Sequence, residues 1–169
     1  MTVAELNALP EPDAREALTS CCGAAPWVAD VLAARPWRDR DTLLAAASRA
    51  WTALTHAQLT EAIAHHPRLG ETRAAASLSA RASQWSAAEQ AGAGGAGDDA
   101  RATLAQGNVE YERRFGHTFI LCASGRSAGE MLAALHARLG NDTDTELRIT
   151  SEELRKITLL RLEKLLTGA

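Results

Sequence analysis

The chain has 169 residues, of which 46% are hydrophobic and only 4% aromatic, and its formal net charge is −3. This length fits one globular domain, and the abundance of alanine and leucine favours helices. The acidic balance argues against a nucleic-acid surface, because binding phosphates requires a basic face. No apolar run is long enough for a membrane span, and the odd number of cysteines does not suggest a disulfide framework, so we expect a cytoplasmic protein.

Apolar residues at helical spacing, together with helix-stopping residues, define the first half of the chain. Pro36 is expected to end the second helix, because proline disfavours helical geometry in the residue before it. Thr55 and Gln58 form a predicted capping box, which starts the helix leading to His65 and His66. The predicted helices before that box cover residues 13–22, 25–35 and 39–54.

The second half is also predicted to be helical, with two interruptions. Residues 91–99 are rich in glycine and are expected to form a flexible loop, since glycine is costly in helices. Residues 119–123 form a continuous apolar run that we expect to be extended and buried. Ser127 and Glu130 have capping-box spacing and should start the next helix. The predicted helices in this half cover residues 77–92, 100–114, 128–139 and 143–166.

Two possible caps near the end of the chain leave the helix count open. Thr143 and Thr150 each precede a glutamate by three residues, so the last segment is either one long helix or two. We therefore expect a compact all-α bundle of about seven or eight helices, using lengths typical of globular proteins. The bundle should form a single domain over residues 1–169.

The sequence AHHPRLGE places His66 directly before Pro67. Pro67 restricts the preceding residue to extended geometry, so His66 should lie just beyond the helix with its ring directed into a cleft. The carbonyl groups at the helix C-terminus favour a protonated imidazole, which suits a residue that moves protons near neutral pH. The alternative is that His66 only caps the helix and that His65 is a surface residue.

The sequence WSAAEQ contains Ser86, Glu89 and Gln90, whose side chains have two possible roles. Ser86 and Glu89 have the spacing of a capping box, and a purely structural role at a helix start would explain them. Alternatively, the free amides of that helix start bind a polar ligand, and the Gln90 amide both donates and accepts hydrogen bonds. Glu89 cannot fully serve the cap and a substrate at once.

Arg161 falls inside the apolar stripe of the last predicted helix. At about 100° per residue, it lies between Ile157 and Leu165 on the helical wheel. An arginine on a buried face needs an anionic partner, because a lone buried charge is expensive. That partner is either a protein carboxylate or a ligand, and the sequence does not choose between them.

The apolar run 119–123 is a possible binding segment through its backbone. It consists of Phe119, Ile120, Leu121, Cys122 and Ala123. An irregular segment leaves N–H and C=O groups unpaired, and these groups can bind a ligand rich in amides. The alternative is that the run only fills the core. Cys122 has no neighbouring base in the sequence, which disfavours a nucleophile role, and the histidines lack metal-ligand spacing.

Several motifs follow one another along almost the whole chain. They are CCGAAPWV, AHHPRLGE, WSAAEQ, NVEYERRFGHTFILCASGRS, RLGND and KITLLRLEKL. Together they resemble the 2-oxo-4-hydroxy-4-carboxy-5-ureidoimidazoline (OHCU) decarboxylase family. The resemblance implies an all-α fold, often dimeric, that decarboxylates OHCU to (S)-allantoin in urate degradation. It also implies a reaction without a cofactor or a metal.

The resemblance further implies roles for residues at matching positions. His66 would be the general acid and base, and Glu89 and Arg161 would complete the catalytic set. The implied substrate-binding residues are Pro67, Ser86, Glu89, Gln90, Phe119, Ile120, Leu121, Cys122 and Ala123. The implied partners are a small-molecule substrate and a second copy of the chain. Two alternatives are a non-catalytic ureide-binding module of the same fold and a helix-turn-helix protein, which the acidic balance disfavours.

Overall fold

A computed structural model of the protein describes residues 1–69, 80–89 and 98–167. Within these ranges all regular secondary structure is helical, which confirms the predicted all-α class. The described helices are α1 (Val3–Ala8), α2 (Glu11–Cys21), α3 (Ala25–Ala33), α4 (Arg40–Thr52), α5 (His56–Ala64), α6 (Ala80–Glu89), α7 (Asp98–Phe115), α8 (Ala128–Arg138) and α9 (Thr143–Thr167). Of these, none is both long and apolar enough to cross a membrane.

The nine helices of the described residues exceed the predicted number because the sequence interpretation overlooked α1. Thr2 and Glu5 form a capping box at its start. The Glu5 N–H donates to the Thr2 hydroxyl at 3.1 Å, and the Thr2 N–H donates to the Glu5 carboxylate at 2.6 Å. A helix of six residues needs such terminal bonds, because its few internal hydrogen bonds barely offset the cost of nucleation.

The capping boxes predicted at Thr55 and Ser127 are both confirmed. The Thr55 N–H donates to the Gln58 side chain at 2.9 Å, and the Ser127 N–H donates to the Glu130 carboxylate at 2.7 Å. Each box has the return bond from the third residue to the capping hydroxyl. Local sequence therefore sets the starts of α5 and α8.

The last segment is one helix, α9, which runs without interruption from Thr143 to Thr167. Asp142 caps it, since the Thr145 N–H donates to Asp142 Oδ1 at 2.9 Å. This backbone hydrogen bond lowers the pKa of the Asp142 carboxyl. The predicted caps at Thr143 and Thr150 are wrong, because Thr143 is already helical and Thr150 is buried inside the helix.

One compact unit comprises Met1–Ala62 and the part of α9 from Arg155 onward. In this unit α2 packs on α3, and α3 packs on α4. Trp27 and Trp37 are among its largest fully buried side chains. The Trp27 indole donates to the Ala47 carbonyl at 3.0 Å, so this large side chain is buried with its N–H satisfied.

The second compact unit comprises Ile63–Leu154. In it α7 packs against α8. Its hydrophobic cluster contains Leu69, Leu104, Tyr111, Phe119, Leu121, Ala123, Met131 and Leu135. This cluster joins the turn after α5 to the 119–123 segment, although about fifty residues separate them in the sequence.

Helix α7 begins at Asp98, close to its predicted start, and the rest of the predicted loop 91–99 lies outside the described residues. The helix ends at Phe115 because Gly116 adopts a φ of 75°, a left-handed conformation that glycine tolerates. The Gly116 N–H donates to the Glu112 carbonyl at 2.8 Å, which closes the last turn. The chain then enters the non-helical segment that carries residues 119–123.

Candidate active site

The paired histidines lie in a turn immediately after α5. The His66 N–H donates to the Ile63 carbonyl at 3.0 Å, and α5 itself ends at Ala64. His66 is buried, with 9% of its surface exposed, whereas His65 is partly exposed. The predicted placement of His66 just beyond the helix is confirmed. Its burial is greater than a surface capping role requires.

Helix α7 holds the residues that follow His66 at two points. The Arg68 guanidinium donates from Nε and Nη2 to the two carboxylate oxygens of Glu112, at 2.7 and 2.6 Å. The Asn108 amide Nδ2 donates to the Leu69 carbonyl at 2.8 Å. These bonds fix both the side chain and the backbone of the turn against one helix.

The 119–123 segment is buried and non-helical, and only Cys122 in it is partly exposed. Charged side chains bind its backbone. The Cys122 N–H donates to Glu153 Oε2 at 2.9 Å, and the Ile120 carbonyl accepts from Arg138 Nη1 at 2.7 Å. In contrast, neither the N–H nor the C=O of Leu121 is hydrogen-bonded to any described residue. The protein thus binds some peptide groups of the segment and leaves others available for a ligand.

A buried polar network around Arg138 positions this segment. Arg138 Nε donates to Glu146 Oε1 at 2.7 Å, and Nη2 donates to the Thr150 hydroxyl at 2.8 Å. The Tyr111 hydroxyl also donates to the Glu146 carboxylate. Burial, and secondarily this bond to a carboxylate, raises the pKa of Tyr111. The network orients the Arg138 guanidinium, which is why it can reach the Ile120 carbonyl.

The sequence interpretation did not assign a role to Arg138, although a signal was present. Arg138 follows Met131 by seven positions and Leu135 by three, so it shares their face of α8. Both apolar residues are fully buried. The argument that singled out Arg161 on α9 would therefore have found Arg138 as well. Glu146 gave no such signal, because its position near a helix start is typical of an ordinary cap.

Ser86 and Glu89 lie on the buried face of α6. This face comprises Ala82, Trp85, Ser86 and Glu89, at helical spacing. Because α6 begins at Ala80, Ser86 is inside the helix, and the predicted capping box and free amides at Ser86 are wrong. Serine and glutamate three positions apart also occur within helices, so the spacing alone was misleading. Polar side chains on a buried face need polar partners, because burying an unpaired polar group is costly. Gln90 lies outside the described residues.

Arg161 is buried in the first unit, with 3% of its surface exposed. Ile157 and Leu165 are buried on the same stripe of α9, so the predicted burial of this arginine is confirmed. Burial raises the pKa of the neighbouring Cys22 thiol to about 11, although the Arg161 charge acts in the opposite direction. The other predicted site residues that the structure describes, from His66 to Ala123, belong to the second unit.

Comparisons with known proteins identify the family of this chain. Residues 7–163 match the family described as OHCU decarboxylase. A crystal structure of OHCU decarboxylase in the presence of (S)-allantoin is 30% identical to this chain, with a TM-score of 0.74. The match covers 90% of this chain and 98% of that chain. The chain belongs to the OHCU decarboxylase family.

Relatives of this family member differ in length. The uric acid degradation bifunctional protein TTL of Arabidopsis thaliana is 34% identical over 146 residues, which are 86% of this chain but 45% of that protein. The 2-oxo-4-hydroxy-4-carboxy-5-ureidoimidazoline decarboxylase of Haloferax volcanii is 27% identical over 165 residues, 96% of this chain and 94% of that protein. The chain thus spans less than half of the bifunctional relative and nearly all of the Haloferax protein.

Proposed function

We propose that this OHCU decarboxylase family member converts OHCU to (S)-allantoin and CO2 in urate degradation. The observation that carries the proposal is the match to an OHCU decarboxylase crystallised in the presence of (S)-allantoin, which extends over 98% of that chain. The family match over residues 7–163 and the burial of His66 beside Pro67 support the same reaction.

The proposed reaction breaks the bond between ring carbon 4 and its carboxylate. The electron pair passes towards the adjacent ring C=N bond, CO2 leaves, and a proton is then added to one face of the ring. Because the substrate contains its own electron sink, we propose that no cofactor takes part. The protein must orient the carboxylate, stabilise the developing anion and deliver the proton to one face.

His66 transfers the proton in this proposal, because Pro67 and burial restrict where its ring lies. Glu89 orients His66 or tunes its basicity. Arg161 binds the anionic carboxylate, and Gln90 holds the ureido arm. The remaining proposed substrate contacts come from Pro67, Ser86, Phe119, Ile120, Leu121, Cys122 and Ala123. Among them, Phe119 and Leu121 have neither their N–H nor their C=O hydrogen-bonded to another described residue.

The decisive experiment compares His66→Ala with the unchanged protein on freshly generated substrate. Circular dichroism reports both the rate of allantoin formation and its handedness. We expect the unchanged protein to accelerate the reaction and to give an excess of the (S) form. We expect His66→Ala to lower kcat by on the order of 100-fold or more, because it removes the positioned proton donor.

His65→Ala is the matched control, since His65 is the adjacent residue and is partly exposed. This variant should keep the rate of the unchanged protein. An unchanged rate in His66→Ala would contradict the role given to His66. Binding of (S)-allantoin without any acceleration by the unchanged protein would instead indicate a non-catalytic ureide-binding module.

We further propose that residues 1–169 act as a single OHCU decarboxylase domain and form a homodimer in the cytoplasm. The family match over most of the chain supports the single domain. The resemblance to a family that is often dimeric supports the homodimer. The odd number of cysteines, with Cys21 and Cys22 adjacent, supports a reducing compartment.

A further inference from the structure

We propose that Asn108 and Glu112 of α7 are positioning residues that set the location of His66. The inference rests on the proposed function, because it concerns the residue that transfers the proton. Asn108 binds the Leu69 carbonyl and Glu112 binds the Arg68 guanidinium. We call these two contacts the α7 clamp.

The α7 clamp has a geometry that sequence spacing explains. Asn108 and Glu112 are four residues apart on one helix, so their side chains lie on the same face, one turn apart. They bind two consecutive residues of the turn, Arg68 and Leu69. One contact holds the backbone and the other holds a side chain, so together they restrict both the position and the rotation of the turn.

Only one residue, Pro67, separates His66 from the first residue that the clamp binds. Arg68 is only two residues beyond His66, and consecutive Cα atoms are about 3.8 Å apart. The residue between them is Pro67, whose ring fixes φ near about −65°. On its other side, the His66 N–H is bonded to the Ile63 carbonyl at the end of α5. Moving the α7 end of this short connection therefore moves the imidazole.

The orientation of the Asn108 amide indicates that its bond to the turn is important. Asn108 is 2% exposed, and its Nδ2 donates to Leu69 while its Oδ1 has no hydrogen-bond partner within the described residues. Rotating the amide would place Oδ1 against a carbonyl oxygen, which would be repulsive. The fold thus leaves one buried acceptor unsatisfied, at a free-energy cost, in order to bind the Leu69 carbonyl.

Glu112 also connects the His66 turn to the start of the second site segment. Its backbone carbonyl accepts from the Gly116 N–H at 2.8 Å, and its Oε1 lies 3.5 Å from the Thr118 hydroxyl. The same residue therefore fixes the path into residues 119–123. Glu112 therefore holds both the turn that carries His66 and the backbone that leads into residues 119–123.

The stability of the protein depends little on the ion pair in this clamp. The Arg68 and Glu112 side chains are 43% and 23% exposed, and ion pairs of that exposure add little to the stability of a protein. Removing the charge of Glu112 should therefore leave the protein folded. A displacement of about 1 Å in a reacting group, in contrast, costs on the order of 100-fold in rate. The two effects can be separated experimentally.

Glu112→Gln and Asn108→Asp test the clamp in the full chain. Each replacement keeps the shape of the side chain and removes one binding feature, the charge at Glu112 or the Nδ2 donor at Asn108. We expect kcat for freshly generated OHCU to fall on the order of 10- to 100-fold. We expect KM to change less than about threefold, since the substrate contacts themselves are kept. The imidazole NMR signals of His66, assigned with His66→Ala, should shift.

Glu110→Gln is the matched control. Glu110 is exposed on the same helix, about 200° around the axis from Glu112. It should change neither kcat nor the His66 signals. Because Asn108→Asp places a carboxylate in a buried site, Glu112→Gln is the decisive variant, and a wild-type kcat in it would overturn the proposal.

The NMR readout separates this proposal from the proposed function. If the unchanged protein does not accelerate the reaction, the decarboxylase function fails. In that case the NMR signals of His66 still test the clamp proposal, without any measurement of activity. Shifted signals in Glu112→Gln but not in Glu110→Gln would support it, and unshifted signals in both would overturn it.

Discussion

Arg138 and Glu146 form a buried ion pair whose main effect is on the backbone of the 119–123 segment. Their side chains are 8% and 0% exposed. Arg138 uses further donors to bind the Thr150 hydroxyl and the Ile120 carbonyl, so the charge is paired and hydrogen-bonded. A buried pair of this kind fixes the positions of the groups around it but adds little to the free energy of unfolding, because the cost of desolvation offsets much of the attraction.

Removing one partner of this pair should be costly. Glu146→Leu leaves the Arg138 guanidinium buried without its carboxylate, and we expect the free energy of unfolding to fall by about 3–5 kcal/mol. Urea denaturation followed by circular dichroism measures this change. Adding Arg138→Met to the same variant should recover part of the loss, because no unpaired charge then remains.

The exposed pair between Arg40 and Glu163 provides the control for this prediction. Its side chains are 55% and 41% exposed, so Glu163→Gln should change the free energy of unfolding by about 1 kcal/mol or less. Equal losses in Glu146→Leu and Glu163→Gln would show that burial of the Arg138 pair has no special energetic effect.

At the level of helices, the packing of α7 on α8 depends on Gly107. A Cβ atom placed on Gly107 would lie 2.3 Å from Leu135 Cδ2. Leu135 is fully buried in the cluster of the second unit, so its side chain has little room to move. Glycine inside a helix is less favourable than alanine by about 1 kcal/mol, and here close packing explains its presence.

Gly107→Ala should have two opposite effects on the free energy of unfolding. The gain in helix propensity is about 1 kcal/mol, whereas overpacking a core costs about 1–3 kcal/mol. We expect net destabilisation of up to about 2 kcal/mol, measured as a shift in the urea midpoint. Combining the change with Leu135→Ala should show a favourable coupling, because the clashing methyl group is then absent.

Gly129 is the matched control for Gly107. It also lies in a helix, but nothing stands within 4 Å of the position that a Cβ would take. Gly129→Ala should therefore stabilise the protein by about 0.4–1 kcal/mol. A stabilising effect in Gly107→Ala as well would show that α7 and α8 can separate without cost.

At the scale of the whole molecule, titration of the buried Cys22 thiol makes the free energy of unfolding depend on pH in the alkaline range. Burial raises its pKa from the ordinary 9.0 to about 11. The folded state thus holds this proton more tightly than the unfolded chain does. The resulting stabilisation is fully present below pH 9.0 and is lost as the pH rises from there through about 11.

Urea titrations between neutral pH and pH 10.5 test this linkage. The free energy of unfolding should fall more steeply with rising pH in the unchanged protein than in Cys22→Ala. The comparison of slopes removes the contributions of other alkaline groups, including Tyr111, that both proteins share. Parallel slopes would refute the linkage, whatever the absolute stability of the variant.

Features that depend on residues close together in the sequence could be predicted, whereas features that depend on distant residues could not. Helix α5 and its start at Thr55 were predictable, because a capping box uses residues within one turn. The supposed cap at Ser86 failed because the same spacing arises inside a helix, and Ser86 lies within α6. Arg161 was predictable as buried from periodicity, although its partner was not.

The all-α class, most helix boundaries and the position of His66 just beyond α5 could be predicted from the sequence. These features depend on propensity, periodicity and contacts within a few residues, all of which can be read along the chain. Only the tertiary structure showed that Asn108 and Glu112 hold the His66 turn, and that Arg138 and Glu153 bind the backbone of residues 119–123. Such contacts join residues 18–44 positions apart, and no local pattern specifies which distant donor a carbonyl will meet.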